Sequence, residues 1–145
     1  MKTLASIAVL LFVSSLPVAA VAGEFDAVLY KNPACGCCLN YVAYLERAGL
    51  RIEVHDTGDV YAVKDRYGVP DELYSCHTML IGGYVVEGHV PVPAVLRLLA
   101  ERPDITGIAL AGMPAGSPGM AGTKTDPFVI HGFSQSAPPE AFIVE

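Results

Sequence analysis

The chain has few basic residues and lacks the motifs of several large functional classes. Lysine and arginine together number 9, against 15 aspartate and glutamate residues, which gives a formal net charge of −6. Nucleic acids and anionic membrane surfaces are therefore poor partners, because a basic surface is what attracts them. No glycine-rich phosphate loop follows a predicted strand, and the serine and acidic residues form no hydrolase motif. A cationic ligand suits this charge balance better.

A hydrophobic run long enough for a bilayer span is also missing. Such a span needs about 20 apolar residues, whereas the run at 4–16 is shorter and contains small polar residues. Lys2 precedes this run and small residues lead to Ala22, a pattern typical of a signal peptide cleaved after that residue. We therefore predict export to the bacterial periplasm as residues 23–145, with no stable membrane insertion after cleavage; an uncleaved membrane anchor is the alternative.

Strand and helix patterns alternate along this mature chain. The predicted elements are strands at 25–31 and 51–56, helices at about 38–48 and 57–67, a hairpin at 76–90 that turns at Gly82-Gly83, and a last helix that Pro103 ends. The order β-α-β-α-β-β-α predicts an α/β fold of the thioredoxin-like kind, a mixed sheet with helices on both faces.

Three segments follow from this pattern. Residues 1–22 are predicted to be the signal peptide, residues 23–103 a thioredoxin-like metal-binding domain, and residues 104–145 a Gly/Pro-rich C-terminal extension packed on that domain. Only "FVIHGF" at 128–133 has the composition of a strand within the extension, and it is expected at the edge of the sheet.

Three of the four cysteines stand within four positions, "CGCC" at Cys35, Cys37 and Cys38. Distant structural disulfides are common in an oxidising compartment, but this clustering disfavours them and leaves Cys35–Cys38 as the plausible local pair. That pair lies between the first strand and the first helix, where thioredoxin-like folds carry their redox cysteines. A helix N-terminus lowers the pKa of a thiol. Cys35 and Cys38 are therefore candidate catalytic residues for thiol–disulfide exchange.

Cys37 is the cysteine that a simple oxidoreductase does not need. A third thiol beside an exchanging pair invites wrong disulfides, whereas converging thiolates suit a soft ion such as Cu(I). Structural zinc sites usually bring two separated cysteine pairs, which this chain lacks. The spacing favours a metal site, with a redox pair and a structural disulfide as the alternatives.

A second group of candidate ligands begins the third predicted strand. In thioredoxin-like folds the loop before that strand packs against the redox motif and normally carries a cis-proline. Here Cys76 and His77 occupy the place, and Pro70 lies too far upstream. We expect Cys76 to lie near the "CGCC" motif with His77 beside it; the alternative is a small buried hydrophobe next to a polar strand end.

Isolated donors complete the candidate set. His89 follows the predicted hairpin, and as a turn histidine it is either a ligand or a surface residue. Met113 and Met120 stand in a loop of small residues, where a thioether is either a soft ligand or an apolar loop contact. Lys31, next to the cysteine loop, either tunes the charge of the thiolates or is solvated, and solvation is expected.

Together these motifs resemble a known family. The segments "YKNPACGCC", "GVPDELYSCHTMLIGGYVVEGHVP", "LLAERPDITGIALAGMPAGSPGM" and "DPF", within residues 26–133, resemble small exported bacterial proteins that share a conserved domain of unknown function. The characterised members are CopG-type periplasmic copper-resistance proteins. The resemblance implies a thioredoxin-like fold and copper binding through the cysteine motif. The positions that match the family are Cys35, Cys37, Cys38, Cys76, His77, His89, Met113 and Met120.

The resulting prediction is a periplasmic copper-binding protein that contributes to copper resistance. It would hold one or several Cu(I) ions and exchange them with other periplasmic copper-handling proteins. Whether it is an enzyme is left open, either through Cu(I)/Cu(II) redox exchange or as the alternative, a thiol–disulfide oxidoreductase. In that alternative Cys35 is the nucleophile and Cys38 the resolving thiol.

Overall fold

The computed structural model describes residues 26–145, so the predicted signal peptide lies outside the described residues. Its elements in chain order are β1 (Ala27–Lys31), α1 (Gly36–Arg47), β2 (Ile52–Asp56), α2 (Val60–Arg66), a 3₁₀ turn (Asp71–Leu73), β3 (His77–Ile81), β4 (Tyr84–Glu87), α3 (Val92–Glu101), β5 (Gly107–Ala109), β6 (Val129–Phe133) and β7 (Glu140–Val144). Within this part of the chain no helix is both long and apolar enough to cross a membrane.

The strands form one mixed sheet in the order β2-β1-β3-β4-β5-β6-β7. β1 runs parallel to β2 and antiparallel to β3, β3 runs antiparallel to β4, and β4 runs parallel to β5. The predicted α/β class is therefore confirmed. Up to the end of α3 the elements also follow the predicted order, with the short 3₁₀ turn added; the thioredoxin-like description itself stays an interpretation.

Apolar side chains cover both faces of the sheet. On one face α1 and α3 contribute Tyr41, Leu45 and Leu98 to the larger core cluster. On the other face Val69 and Phe133 belong to a smaller cluster. Adjacent strand residues divide between the two clusters because successive strand side chains point to opposite faces. Burial from both sides makes the central strands a rigid support for the loops at their ends.

The C-terminal residues extend the sheet. Strand β6 pairs with β5 on one side and with β7 on the other. The prediction that 128–133 forms an edge strand is therefore wrong, because β7 covers that edge. Short strands separated by Gly/Pro-rich segments have weak sequence patterns, which is why β5 and β7 were not predicted.

Candidate metal centre

The start of α1 positions the cysteine motif. After β1 the chain turns at Asn32, whose carbonyl oxygen accepts a hydrogen bond from the Cys35 N–H at 3.0 Å. Cys35 is the N-cap of α1, and its Sγ accepts a hydrogen bond from the Cys38 N–H at 3.3 Å. The helix therefore begins at Gly36, two residues earlier than predicted, and the motif wraps around its first turn.

All four cysteine sulfurs meet at this helix end, and we call them the sulfur cluster. Cys35 and Cys38 form a disulfide, whereas Cys37 and Cys76 are free thiols. The Cys37 Sγ lies 3.4 Å from the Cys35 Sγ and 3.8 Å from the Cys76 Sγ, and the Cys76 Sγ lies 3.6 Å from the Cys38 Sγ. Among the described donor atoms, these four sulfurs lie within 4.8 Å of one another.

Strand pairing explains how Cys76 reaches the motif. In the antiparallel ladder of β1 and β3, Lys31 pairs with His77. The residue before β3 therefore lies beside the loop that follows β1. A distance of 38 residues along the chain is closed by one strand pair, which places Cys76 where the sequence predicted it.

Two buried imidazoles lie on the inner side of Cys76. The His89 Nε2 is 2.8 Å from the Cys76 Sγ, and the His89 Nδ1 is 2.6 Å from the Pro118 carbonyl oxygen. Because a carbonyl only accepts, Nδ1 carries the proton and Nε2 presents its lone pair to the sulfur. The His77 Nδ1 lies 3.4 Å from the same sulfur, and its buried Nε2 has no hydrogen-bond partner. The Cys76 sulfur thus lies between the other cysteine sulfurs and two imidazole nitrogens.

Burial favours the uncharged forms of the Cys76 thiol and of the two imidazoles when no metal ion is bound. Burial, helped by the adjacent Cys37, raises the pKa of Cys76 to about 12. Burial also lowers the pKa of His77 well below its usual value, with His89 and Lys64 adding to the shift, and burial lowers the pKa of His89. Thiol sulfur and neutral imidazole nitrogen are ligands that copper accepts. The donor set therefore fits copper, which would displace the thiol proton on binding.

The loop with the predicted methionine ligands contributes main-chain atoms. Gly119 has φ +84°, and a Cβ there would lie 2.7 Å from the Tyr41 nitrogen and 2.9 Å from the Cys37 carbonyl oxygen. Only glycine allows the loop to approach α1 this closely, and the approach brings the Pro118 carbonyl to His89. Met113 is 54 % exposed, and Met120 lines a depression beside α1. That the methionines are ligands stays a prediction.

A buried polar network, not predicted from the sequence, supports the loop that carries Cys76. The Lys64 Nζ donates to Glu87 Oε1 at 2.6 Å, and both side chains are fully buried. The same Oε1 accepts the Ser75 N–H at 2.7 Å, and the Thr78 hydroxyl donates to Glu87 Oε2 at 2.7 Å. Lysine in a helix and glutamate in a strand are ordinarily exposed, so neither residue type indicated this pair.

Lys31 corrects another expectation. Its side chain is 3 % exposed, and Nζ lies 2.6 Å from the Asp56 Oδ1 on β2. The prediction of a solvated lysine is wrong, because the side chain is buried and its Nζ also donates to the Asn32 carbonyl oxygen at 3.3 Å. A buried cation beside the loop is matched by its own carboxylate and is therefore not available as a free charge.

Comparison with known proteins places this geometry in a family. Residues 73–120 match the family described as "Protein of unknown function, DUF411". A solved structure described as copper resistance protein CopG, form 2, is 38 % identical with a TM-score of 0.77, covering 83 % of this chain and 98 % of that chain. Form 1 is 39 % identical with a TM-score of 0.75, covering 82 % and 95 %. The comparison with curated proteins gave no significant match. At this identity and coverage, the chain belongs to the family of the copper resistance protein CopG.

Proposed function

We propose that this protein is a periplasmic copper-binding protein that handles Cu(I) and contributes to copper resistance. The observation that carries the proposal is the convergence of four sulfurs and two neutral imidazoles around Cys76. The proposed ligands are Cys35, Cys37, Cys38, Cys76, His77 and His89, with Met113 and Met120 as further sulfur donors. The solved relatives are copper resistance proteins, which supports the choice of metal.

The redox state of Cys35 and Cys38 determines how many thiol ligands are available to copper. While Cys35 and Cys38 form a disulfide, the free donors at the centre are Cys37, Cys76 and the imidazoles. Two-electron reduction of that disulfide by a dithiol breaks the S–S bond and supplies two more thiols. Because Cu(I) prefers thiolate ligands, the reduced protein is the form that binds Cu(I) tightly. Bound Cu(I) in turn protects the thiols from oxidation.

An anaerobic Cu(I) titration of the fully reduced protein against a competing chelator tests the proposal. We expect one or more Cu(I) ions per chain, and a dissociation constant raised by more than about tenfold in Cys37→Ser, since even outer-shell changes at metal sites cost about 10–100-fold. His55→Gln is the matched histidine control, because His55 is exposed and pairs with Glu53. Weak, substoichiometric binding by the unaltered protein would exclude the copper proposal.

The rival function is thiol–disulfide exchange, and the disulfide between Cys35 and Cys38 at the start of α1 favours it. Cys35 is half-buried and Cys38 is fully buried, as a nucleophile and a resolving thiol would be. The rival predicts metal-free turnover in a disulfide reduction assay that survives Cys37→Ser. Against it, Cys76 follows Ser75 where oxidoreductases of this fold normally carry the proline that shapes the substrate groove.

Copper affinity is expected to depend on pH through the thiols. Because the pKa of Cys76 is raised to about 12, this thiol is protonated at neutral pH and must release its proton to bind copper. Each such proton raises the dissociation constant by about tenfold per pH unit of acidification. The lowered pKa values of His77 and His89 favour neutral imidazoles, so their protonation competes less with copper than that of an ordinary histidine. Titrations between pH 6 and pH 8 measure the slope; a flat profile would contradict thiolate coordination.

The location and segment boundaries are part of the proposal. Export with cleavage after Ala22 would deliver residues 23–145 to the periplasm, with residues 23–103 as the metal-binding domain and 104–145 as the extension. The extension shares the sheet with the domain and supplies the Pro118 contact to His89. N-terminal sequencing of the protein from a periplasmic extract tests the cleavage; a chain that still begins at Met1 would contradict it.

A further inference from the structure

The buried network around Glu87 connects the interior of the domain to the loop that carries Cys76. Glu87 ends β4, and its carboxylate has three partners: the Lys64 ammonium on α2, the Thr78 hydroxyl on β3 and the main-chain N–H of Ser75. Both oxygens are used, and the side chain is fully buried. The Ser75 contact is the one that leaves the regular elements and reaches the residue directly before Cys76.

We propose that Glu87 is a positioning residue for the copper centre: through its hydrogen bond to the Ser75 N–H, it holds the main chain so that the Cys76 Sγ faces the other three sulfurs. The inference rests on the proposed copper function. Lys64 and Thr78 hold the Glu87 carboxylate from two further directions. The oxygen that accepts the Ser75 N–H is therefore fixed in position. Such outer-shell partners orient metal ligands in many proteins.

The location of the loop shows why such a contact is needed. Tyr74 and Ser75 lie between the 3₁₀ turn and β3, outside the strand ladder. The loop has further contacts. The Ser75 hydroxyl donates to the Gly112 carbonyl oxygen and the Gly112 N–H donates to the Tyr74 carbonyl oxygen at 3.0 Å, both toward the C-terminal extension. The Tyr74 hydroxyl donates to the Asp65 Oδ1 on α2. Glu87 is the contact that ties the loop to the strands behind the centre.

The length and the charge of the side chain at position 87 can be changed separately, which distinguishes a positioning role from an electrostatic one. Aspartate keeps the negative charge beside Lys64, but its carboxylate is about 1.5 Å shorter in reach and cannot bond Ser75 and Thr78 together. Glutamine keeps the reach and can still accept the Ser75 N–H, but it loses the charge. Positioning therefore predicts that Glu87→Asp is the worse variant for copper, whereas a purely electrostatic role predicts that Glu87→Gln is.

The test measures Cu(I) affinity by chelator competition for the reduced wild type, Glu87→Asp, Glu87→Gln, Cys76→Ser and the double variant Glu87→Asp/Cys76→Ser. We expect Glu87→Asp to raise the dissociation constant by about tenfold or more and Glu87→Gln to raise it less. In the Cys76→Ser background Glu87→Asp should add nothing, because coupled residues give non-additive effects. Leu98→Ala, which creates a cavity in the α3 core, controls for lost stability alone and should leave affinity unchanged.

A second readout needs no copper. In the metal-free oxidised protein, Cys37 and Cys76 are the free thiols, and peptide mass spectrometry follows the alkylation of each. Glu87→Asp should speed alkylation of Cys76 several-fold relative to Cys37, since the loop is released. If Glu87→Asp does not fold by circular dichroism, Thr78→Val, which removes the Oε2 partner, replaces it with the same expectations.

The outcomes separate the two proposals. A wild type without Cu(I) affinity ends the copper function, while the alkylation rates still decide whether Glu87 holds the loop. A wild type that binds Cu(I) beside a Glu87→Asp variant with equal affinity and an unchanged alkylation rate overturns the positioning role. Additive effects with Cys76→Ser, or a larger loss in Glu87→Gln than in Glu87→Asp, overturn it as well.

Discussion

Cys76→Ser is expected to raise the Cu(I) dissociation constant by more than about 100-fold, above the 10–100-fold loss typical of outer-shell changes at metal sites. Cys76 is the donor common to both groups of converging side chains, the four cysteines and the set with His77 and His89. Its removal therefore takes a sulfur from each. Serine keeps the size and can still donate to the His89 Nε2, so the loss reports the ligand and not the packing.

The measurement is the same anaerobic chelator competition, with thiol counting to show that the remaining cysteines are reduced. His89→Gln removes the imidazole 2.8 Å from that sulfur and is expected to give a smaller loss, because Cu(I) prefers sulfur. A Cys76→Ser variant that still binds Cu(I) with wild-type affinity would restrict the centre to the "CGCC" motif and exclude the loop before β3 from it.

Lys64→Met is expected to lower the free energy of unfolding by about 3–5 kcal/mol, the typical effect of removing one partner from a buried ion pair. The variant leaves the Glu87 carboxylate without its cation, where both side chains are fully buried. Burial already raises the pKa of Glu87, and Lys64 is the largest influence that opposes the shift. Methionine has a similar length, so the lost ion pair and not a cavity dominates.

Urea unfolding of the oxidised, metal-free protein measures the effect. The double variant Lys64→Met/Glu87→Gln should recover part of the loss, because no unpaired charge remains and glutamine still accepts the Ser75 N–H. Arg97→Met is the surface control: its pair with Glu101 is about half exposed, and such pairs contribute only about 0.3–0.5 kcal/mol. Equal stability of Lys64→Met and the wild type would show that the buried pair contributes nothing to folding.

Much of the fold could be predicted from local patterns. The elements up to α3 have clear periodicity, and glycine or proline marks several of their ends, such as Gly49, Gly68 and Pro103. The prediction was least complete for the C-terminal extension. β5 has only three residues, and β7 directly follows two prolines. Such short strands form because a neighbouring strand offers hydrogen-bond partners, which no local pattern encodes.

The centre divides in the same way. The "CGCC" spacing favoured soft-metal chemistry over a redox pair or a structural disulfide, because three sulfurs within four residues must lie close together in any fold. Cys76 and His77 needed the predicted strand order. The contact of His89 with the Cys76 sulfur, and the Pro118 carbonyl that sets its tautomer, required the folded loop. Met113 and Met120 were predicted as ligands from the sequence. The contacts that their loop makes with the centre are main-chain contacts, at Gly119 with α1 and at the Pro118 carbonyl with His89.

The sequence by itself determined the chemical class of the donors, the α/β class and the family, since these depend on residue types and on spacings of a few positions. Only the tertiary structure decided that the His89 imidazole faces the Cys76 sulfur and that Lys64 and Glu87 are buried behind the loop of Cys76. The disulfide between Cys35 and Cys38 agrees with the local pair that the spacing indicated. The physical reason is that burial and convergence are properties of pairs of segments far apart in the chain. A lysine on a helix has the same local pattern whether it faces water or a carboxylate.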